Sequence, residues 1–382
     1  MNIVIAGGGT GGHVFPALAV AREIKKQIPE AKITFVGTVR GIESKIIPKE
    51  GFDIRFIRSE GLVGKNLFGT ITSALKIPLS LKDSYRILQD IRPELVLGVG
   101  GFSSGPVTLC AHLMGIKTII HEQNTLPGLT NRMLGKIVDR VAVSYQESMR
   151  YFPGQKTCLT GNPVREEIVK GDRNRGYNIF SLQKDRFTIF VFGGSRGASH
   201  INHAVGEALP YLIPVKDKIQ FLHQTGDRDS EPMKEVYHSR EFRGTVLPFA
   251  HEMADAYAAA DLIISRAGAT TLAELTACGK AAILIPYPHA AGNHQESNAR
   301  KLWDIGAAQM ILDRDLNGRT LADMIMYLLD DPEAIGEMER RSKSIGSTDA
   351  TRKITGLITG LIKKKGAITV FNNRNCINRK VT

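Results

Sequence analysis

Hydrophobic residues recur along the chain as short, mostly continuous runs, separated by longer stretches of helical periodicity. The runs are rich in β-branched residues, which favour strands. The predicted strands are Ile3–Ala6, Ile33–Val36, Leu95–Val99, Thr118–His121, Val141–Val143, Thr188–Phe192, Gln220–His223, Leu262–Ser265 and Ala282–Ile285. Apolar strands that alternate with helices are typical of parallel sheets covered on both faces. The pattern therefore predicts an α/β protein.

Two of these strands lead into glycine-rich loops that resemble each other. The strand Ile3–Ala6 is followed by GGGTGG, Gly7–Gly12, and a strand of the second half is followed by GGSRGA, Gly193–Ala198. Glycines after a strand let the backbone turn sharply and bring N–H groups and a helix N-terminus against an anion such as phosphate. The repeat predicts two nucleotide-binding halves, with the functional site in a cleft between them.

The length of 382 residues suits two domains. The break is predicted near GNPVREE, where Gly161 and Pro163 interrupt the periodicity. We expect a first domain over residues 1–163, a second over 164–344 and a helix over about 345–362 that packs back on the first. Residues 363–382 form a basic tail that is expected to be disordered.

The formal net charge of +12 is unevenly distributed, because the last 20 residues contain six Lys or Arg and no acid. The tail has two open interpretations, contact with anionic lipid or nucleic acid, or a solvated terminus. No run approaches the roughly 20 apolar residues that span a bilayer. Met1–Asn2 leads directly into a predicted strand, so no signal peptide is expected. The four cysteines show no CxxC spacing, which indicates reduced thiols and no zinc site.

A histidine follows the first glycine loop. GGGTGG satisfies G-x-G-x-x-G, but an NAD enzyme also needs an acidic residue at the end of the second strand, and Ile33–Thr38 ends without one. His13 stands where reacting groups gather in such sheets and is the best candidate for a general base. The alternative is a histidine that only caps the helix.

Two further segments of the first half carry polar groups at strand ends. GVGGFSSGP, Gly98–Pro106, is a third glycine-rich turn, and HEQNTLPGLTN, His121–Asn131, closes a buried strand. We expect Asn124, rather than Glu122, to contact ligand. The alternative role of Glu122 is structural, as a salt-bridge partner or as the cap of the next helix.

In the second half, SRAGATTLAE opens a helix whose first N–H groups suit a diphosphate. Glu274, about one turn further on, can accept both hydroxyls of a ribose; a carboxylate that merely faces the helix dipole is the alternative. The loop HAAGNHQESN offers Asn293, His294 and Gln295 to sugar hydroxyls. His289 and His294 lack a carboxylate to complete a ligand set, so no metal site is predicted.

The segment Leu67–Lys82 is apolar and is flanked by Lys65, Lys82 and Arg86. Too short to span a bilayer, it fits a helix in a membrane interface or an ordinary core helix equally well.

These motifs together resemble the signature series of a bacterial cell-wall family, the MurG-type N-acetylglucosaminyltransferases. The motifs that carry the resemblance, in chain order, are GGGTGGHVFPALA, GVGGFSSGP, HEQNTLPGLTN, GNPVR, GGSRGA, RAGATTLAE and HAAGNHQ. The resemblance implies a GT-B fold, in which two Rossmann-like domains face across a cleft. It also implies transfer of GlcNAc from UDP-GlcNAc to the C4 hydroxyl of undecaprenyl-diphosphate-linked MurNAc-pentapeptide. The expected mechanism is a single inverting displacement, in which protein dipoles stabilise the leaving UDP and neither a metal nor a cofactor is needed.

The resemblance also assigns roles to residues. His13 stays the candidate for the catalytic base because of its position beside the glycine loop. Thr10, Gly11, Gly12 and Asn124 would meet the donor sugar or the acceptor diphosphate, and Arg165 and Ser195 the donor diphosphate. Phosphate and ribose would be held by Ala269, Thr270, Thr271, Leu272, Ala273 and Glu274, uracil by the backbone of Ala250, and GlcNAc hydroxyls by Gln295.

The family resemblance further implies peripheral attachment to the cytoplasmic face of the inner membrane through the first domain, with anionic lipid, cell-wall synthesis proteins and division proteins as partners and no nucleic acid. The sequence departs from the family pattern at Arg196, where Gln is usual, and at Gly292, where Asp is common. The alternatives are a related glycosyltransferase with a diacylglycerol acceptor and a non-catalytic sugar-nucleotide-binding protein.

Overall fold

The computed structural model describes residues 1–59, 77–194 and 197–363. The chain divides into two compact units. The first unit comprises Met1–Val164 and the described residues from Thr348 onward, and the second comprises Arg165–Ser347.

The first unit contains a parallel sheet whose strands are ordered β3-β2-β1-β4-β5-β6-β7. The strands are β1 Asn2–Ala6, β2 Lys32–Gly37, β3 Asp53–Phe56, β4 Leu95–Gly98, β5 Lys117–Glu122, β6 Arg140–Val143 and β7 Thr157–Leu159.

Helices cover both faces of this sheet, as the apolar strands require. The helices are α1 Gly11–Gln27, α2 Glu43–Lys49, α3 Ile77–Ile91, α4 Ser104–Leu113, α5 Leu129–Leu134 and, from the end of the described chain, α14 Ala350–Lys363; short 3-10 helices are Gln146–Tyr151 and Gly154–Lys156. Helix α14 packs on α1 and places Ile354 and Ile358 in the same core as Ile3.

The second unit contains a second parallel sheet, ordered β10-β9-β8-β11-β12-β13. Its strands are β8 Phe187–Phe192, β9 Ile219–Gln224, β10 Gly244–Leu247, β11 Leu262–Ser265, β12 Ala282–Leu284 and β13 Gln309–Met310.

The helices of the second unit are α6 Arg173–Ile179, α7 Ser199–Leu212, α8 Ser230–Ser239, α9 Met253–Ala259, α10 Ala269–Cys278, α11 His294–Asp304, α12 Gly318–Asp330 and α13 Pro332–Ile345, with 3-10 helices at Glu166–Lys170, Ile213–Val215, Ala291–Asn293 and Asp313–Asp315. Helices α7 and α12 pack together, and Leu209 and Leu321 share one core with the strand residues Ile189 and Val191.

The order in which successive strands are added to each parallel sheet reverses at one point, between β1 and β4 in the first unit and between β8 and β11 in the second. Ligands of open α/β sheets bind at the carboxyl ends of the strands beside such a point. The predicted α/β class, with two Rossmann-like parallel sheets, is confirmed. No helix within the described ranges is long and apolar enough to cross a membrane.

Candidate active site

Two glycine loops meet where the strand order of the first sheet reverses, between β1 and β4. The loop after β1 leads into α1, and the loop after β4 leads toward α4. Gly101 has φ +80°, and a Cβ atom there would overlap the backbone of Gly8. The two loops therefore contact each other backbone to backbone, which only glycine at this place allows.

His13 lies in the first turn of α1 and is half-buried. Its ring lies so close to Gly100 that a Cβ atom there would be 2.8 Å from Nε2. Its backbone N–H donates to the carbonyl of Thr10 at 3.1 Å, and its Nδ1 is 3.4 Å from Thr10 Oγ1. The predicted residues Thr10, Gly11, Gly12 and His13 are thus brought together at one edge of the sheet, with Thr10 exposed.

The loop after β5 is organised around the buried carboxylate of Glu122. That carboxylate accepts from Asn124 N at 2.9 Å, Asn124 Nδ2 at 3.1 Å, Gly128 N at 3.2 Å and Asn131 Nδ2 at 2.8 Å. Burial raises the pKa of Glu122, and the hydrogen bonds oppose this shift. Glu122 therefore holds its own loop, and half-buried Asn124 lies at the surface of that loop.

Two neighbours of Glu122 tie this loop to the rest of the unit. Gln123 Nε2 donates to the carbonyl of Val99 at 2.7 Å, which joins the loops after β4 and β5. His121 is buried, and burial lowers its pKa to about 4. Its Nε2 lies 3.2 Å from the carbonyl oxygen of Gly161, an acceptor, so this nitrogen carries the proton.

Sequence reasoning missed an acidic residue beneath the first glycine loop. Glu43, at the start of α2, accepts a hydrogen bond from Gly9 N at 2.7 Å. The N–H of Gly9 therefore points to a carboxylate inside the protein, and it is not one of the donors that this loop presents to an external anion. The available signal was the glycine pair Gly37 and Gly41, which leaves room for this side chain.

In the second unit, the second glycine loop follows β8. Ser195 and Arg196 lie outside the described residues, so the predicted role of Ser195 and the departure at Arg196 stay predictions. Gln224, at the end of β9, donates to the carbonyl of Gly194 at 3.0 Å and accepts from the N–H of Ala250 at 3.0 Å. Gln224, a second residue that sequence reasoning missed, joins the glycine loop to the segment predicted to meet uracil.

Helix α10 begins beside this loop, after β11. Its N-cap is Gly268, which supplies no capping side chain. The first N–H groups, from Ala269 to Thr271, are of the kind that bind phosphate at a helix N-terminus. Leu272 is buried in the core and Ala273 is half-buried, so only the backbone of Leu272 is suited to a ligand.

Glu274, the one acid predicted to bind ligand in the second unit, is buried, with 5% exposure. One carboxylate oxygen accepts from Arg165 Nη2 at 3.1 Å and the other from the Tyr257 hydroxyl at 3.0 Å. Burial raises the pKa of Glu274, while Arg165 and Tyr257 act in the opposite direction. The structure thus brings Arg165 and Glu274 together, as two predicted residues, and adds Tyr257, which no sequence pattern indicated.

Gln295 lies at the start of α11 and is half-buried. Its Oε1 accepts from Tyr287 N at 3.0 Å, which orients its amide group. Gly292, where the family commonly has Asp, has φ +63°, a left-handed conformation that glycine adopts readily. Among the described residues, no group of three or more His, Cys, Asp and Glu side chains is placed to hold a metal ion.

Each Rossmann-like unit has a glycine loop and a helix N-terminus at the point where the strand order of its sheet reverses. Two such units are the architecture of GT-B glycosyltransferases. The N-terminal domain model of glycosyltransferase family 28 matches residues 3–143, and its C-terminal domain model matches residues 188–354. The chain therefore belongs to glycosyltransferase family 28 and, within it, to the MurG-type N-acetylglucosaminyltransferases that its motifs resemble.

Full-length relatives support this assignment. A UDP-N-acetylglucosamine–N-acetylmuramyl-(pentapeptide) pyrophosphoryl-undecaprenol N-acetylglucosamine transferase of Thermodesulfovibrio yellowstonii is 48% identical over 96% of this chain and 100% of its own length. The protein of the same name from Syntrophus aciditrophicus is 45% identical over 95% of this chain and 99% of its own. The crystal structure of Acinetobacter baumannii MurG is 30% identical, with a TM-score of 0.74 over 94% of this chain and 99% of that one.

Proposed function

We propose that this chain transfers GlcNAc from UDP-GlcNAc to the C4 hydroxyl of undecaprenyl-diphosphate-linked MurNAc-pentapeptide, with inversion at the anomeric carbon. The observation that carries this proposal is the match to relatives named for this reaction, which extends over nearly the whole of both chains. The site geometry supports it, because each unit presents a group that the reaction needs.

The second unit is proposed to bind the donor. The N-terminus of α10, which follows Gly268, suits the diphosphate, and the carboxylate of Glu274 suits the ribose hydroxyls. Arg165, 3.1 Å from Glu274, carries the positive charge that a diphosphate needs. Ala250 would meet uracil through its carbonyl, since its N–H already donates to Gln224, and Gln295 would donate its amide N–H to a GlcNAc hydroxyl.

The first unit is proposed to supply the base. His13 removes the proton of the acceptor hydroxyl while that oxygen forms a bond to the anomeric carbon of GlcNAc. The bond from the anomeric carbon to the UDP oxygen breaks, and UDP leaves with the electron pair. The N–H groups of α10 and the guanidinium of Arg165 stabilise the negative charge that develops. Thr10 and Asn124 are proposed to hold the acceptor or the donor sugar.

The direct test is a UDP-release assay with purified protein. Its arms are lipid-linked MurNAc-pentapeptide or diacylglycerol as acceptor, each with UDP-GlcNAc, UDP-glucose or UDP-galactose. We expect UDP release to require both the muramyl acceptor and UDP-GlcNAc, and the product to carry a β-linkage by NMR. Transfer to diacylglycerol, or a preference for another sugar, would contradict the proposal. Binding of UDP-GlcNAc without transfer would indicate a non-catalytic binding protein.

We also propose that the first unit docks on the cytoplasmic membrane surface. Residues 67–76 of the predicted segment Leu67–Lys82 lie outside the described residues, but its end begins helix α3. Ile77 and Leu79 are 41% and 40% exposed, and exposed Lys82 and Arg86 follow on the same helix. Exposed apolar side chains beside cations suit an interface of anionic lipid.

Vesicle sedimentation tests this docking. We expect the protein to sediment with phosphatidylglycerol vesicles more than with phosphatidylcholine vesicles, and the double variant Ile77→Ser/Leu79→Ser to lose most of that binding. The control is Ile213→Ser, an exposed apolar residue of the second unit. Equal sedimentation of the double variant and the wild type would contradict docking through α3.

A further inference from the structure

A buried acidic residue that has no part in the proposed chemistry lies under the first glycine loop. Glu43 begins α2, and its side chain is only 1% exposed. Its Oε2 accepts from Gly9 N at 2.7 Å. Its Oε1 accepts from the backbone N–H of Thr38 at 2.9 Å and from the Thr38 hydroxyl at 3.1 Å. Because Thr38 follows β2, Glu43 joins the loop after β1 to the end of β2.

Three segments of the chain leave room for this carboxylate. A Cβ atom at Gly8, Gly37 or Gly41 would overlap the side chain of Glu43. These glycines lie in the first glycine loop, at the end of β2 and before α2. The Glu43 side chain is the shared neighbour of all three glycines, so the backbone of all three segments packs against it.

The donors to Glu43 are two backbone N–H groups and one hydroxyl, all of them neutral. A carboxylate removed from water costs several kcal/mol unless hydrogen bonds replace its hydration. A leucine or methionine could fill the same space at lower cost, but it could not accept from Gly9 and Thr38. The benefit of an acid here is therefore the fixed position of those two backbone N–H groups.

Gly9 directly precedes the residues proposed to act on substrate. Thr10 is its neighbour in sequence, and the carbonyl of Thr10 accepts from the N–H of His13 and begins α1. We infer that Glu43 is a positioning residue: by holding Gly9 N–H, it fixes the loop after β1 and thereby the place of Thr10 and His13. This inference rests on the proposed role of His13 in the transfer reaction.

The test compares Glu43→Gln with the wild type. The substitution keeps the shape but replaces one acceptor oxygen by an NH2 group, which cannot accept from Gly9 or Thr38. Misplacement of a catalytic group by about 1 Å can cost on the order of 100-fold in rate, so we expect kcat to fall about 10- to 100-fold. The Kd of UDP should stay within about twofold, because the residues proposed to bind the nucleotide and its diphosphate lie in the second unit.

Hydrogen exchange provides a readout that does not depend on activity. We expect the peptide that covers residues 4–15 to exchange faster in Glu43→Gln, since the Gly9 N–H loses its acceptor. The matched control is Glu50→Gln, which removes an ion pair with Arg22 at the other end of α2. This control should keep wild-type turnover and wild-type exchange of that peptide.

Turnover is expressed per UDP-GlcNAc-binding molecule, so that loss of folded protein alone does not lower it. Wild-type turnover on this basis, or unchanged exchange of the loop peptide, would overturn the inference. If Glu43→Gln does not fold, Glu43→Asp serves instead, because its shorter side chain cannot reach both Gly9 and Thr38. We expect about fivefold lower turnover for Glu43→Asp. Wild-type turnover of that variant would overturn the inference. A wild-type protein without transfer activity would refute the proposed function, while loop exchange would still test Glu43.

Discussion

At the scale of single residues, the second unit places an acid where water is nearly absent. Burial raises the pKa of Glu274, and two contacts oppose this shift, the guanidinium of Arg165 and the hydroxyl of Tyr257. Tyr257 is itself fully buried and packs edge-on against Phe190 and Phe192. Its hydroxyl is therefore held in one place and fixes the direction of the carboxylate.

Tyr257→Phe tests this arrangement. The variant removes one hydrogen bond to the charged form of Glu274, so the pKa of Glu274 should rise further and its geometry should loosen. We expect the Kd of UDP to increase about threefold to tenfold, the equivalent of about 1 kcal/mol for one hydrogen bond. Isothermal titration calorimetry at neutral pH measures this change.

The control for that experiment is Tyr237→Phe. Tyr237 is also buried in the second unit, but its hydroxyl contacts His223 and no predicted ligand-binding residue. It should bind UDP as the wild type does. Equal UDP affinities of Tyr257→Phe and the wild type would show that Glu274 does not contact the ribose through this geometry.

The residues that sequence reasoning missed share a physical reason. Glu274 and Arg165 stand in recognisable motifs, whereas Glu43, Gln224 and Tyr257 act through side chains that turn inward from helices or strand ends. Helical periodicity does not show that Glu43 points under a loop whose Gly9 is 34 residues earlier in the sequence. Such contacts arise only when separate segments come together in the fold.

At the scale of elements, the predicted strands of the two sheet interiors are all present. The strands that were not predicted are β3, β7, β10 and β13, and these are the edges of the two sheets. An edge strand has a neighbour on one side only and carries polar residues, as Asp53 and Arg55 do in β3. It therefore lacks the continuous apolar run by which a buried parallel strand is recognised.

The contact between the loops after β1 and β4 gives a prediction at this scale. Gly101→Ala places a methyl group into the backbone of Gly8 and also strains a left-handed residue. We expect the free energy of unfolding to fall by about 2–4 kcal/mol, from overpacking together with φ strain. Because the first loop must shift, turnover per folded molecule should fall as well. Urea unfolding and the transfer assay measure the two effects.

Gly115→Ala is the matched control. Gly115 has φ +71°, but a Cβ atom there would have no neighbour within 4 Å. Only the strain of the left-handed conformation applies, which costs about 1 kcal/mol, and turnover should be unchanged. The same loss of stability and activity in both variants would show that the loop contact has no special importance.

At the scale of the whole molecule, each unit contains a buried neutral histidine. Burial lowers the pKa of His121 to about 4 and that of His223 to about 3, while both titrate near 6.5 when unfolded. As the pH falls from about 6.5 to 4, the unfolded chain binds protons that the folded chain excludes. The free energy of unfolding should therefore fall with decreasing pH, by up to about 1.4 kcal/mol per pH unit for each histidine.

The variant His121→Gln isolates one of these contributions. Its unfolding midpoint in urea should depend less on pH between about 6.5 and 5 than that of the wild type. The control is His112→Gln, a half-exposed histidine of α4, which should keep the wild-type dependence. Comparison with the wild type removes the effect of Glu122 and Glu274, whose raised pKa values act in the opposite sense. An unchanged slope in His121→Gln would contradict burial of a neutral imidazole.

The architecture of the whole molecule was predictable because it depends on repeated signals. The two glycine loops, Gly7–Gly12 and Gly193–Ala198, and the alternation of apolar strands with helices indicated two parallel sheets. The identity of the bound sugar had no such signal, because hydroxyl recognition depends on the exact placement of groups such as the Gln295 amide. That specificity came from family resemblance.

The most direct test of the proposed reaction is the kinetic comparison of His13→Ala with the wild type, using lipid-linked MurNAc-pentapeptide and UDP-GlcNAc. We predict that kcat falls by about 10²- to 10⁴-fold, the usual contribution of a general base, while the Kd of UDP-GlcNAc changes by less than about twofold. His112→Ala is the control and should transfer GlcNAc at the wild-type rate. Wild-type turnover by His13→Ala would contradict the assignment of His13 as the base.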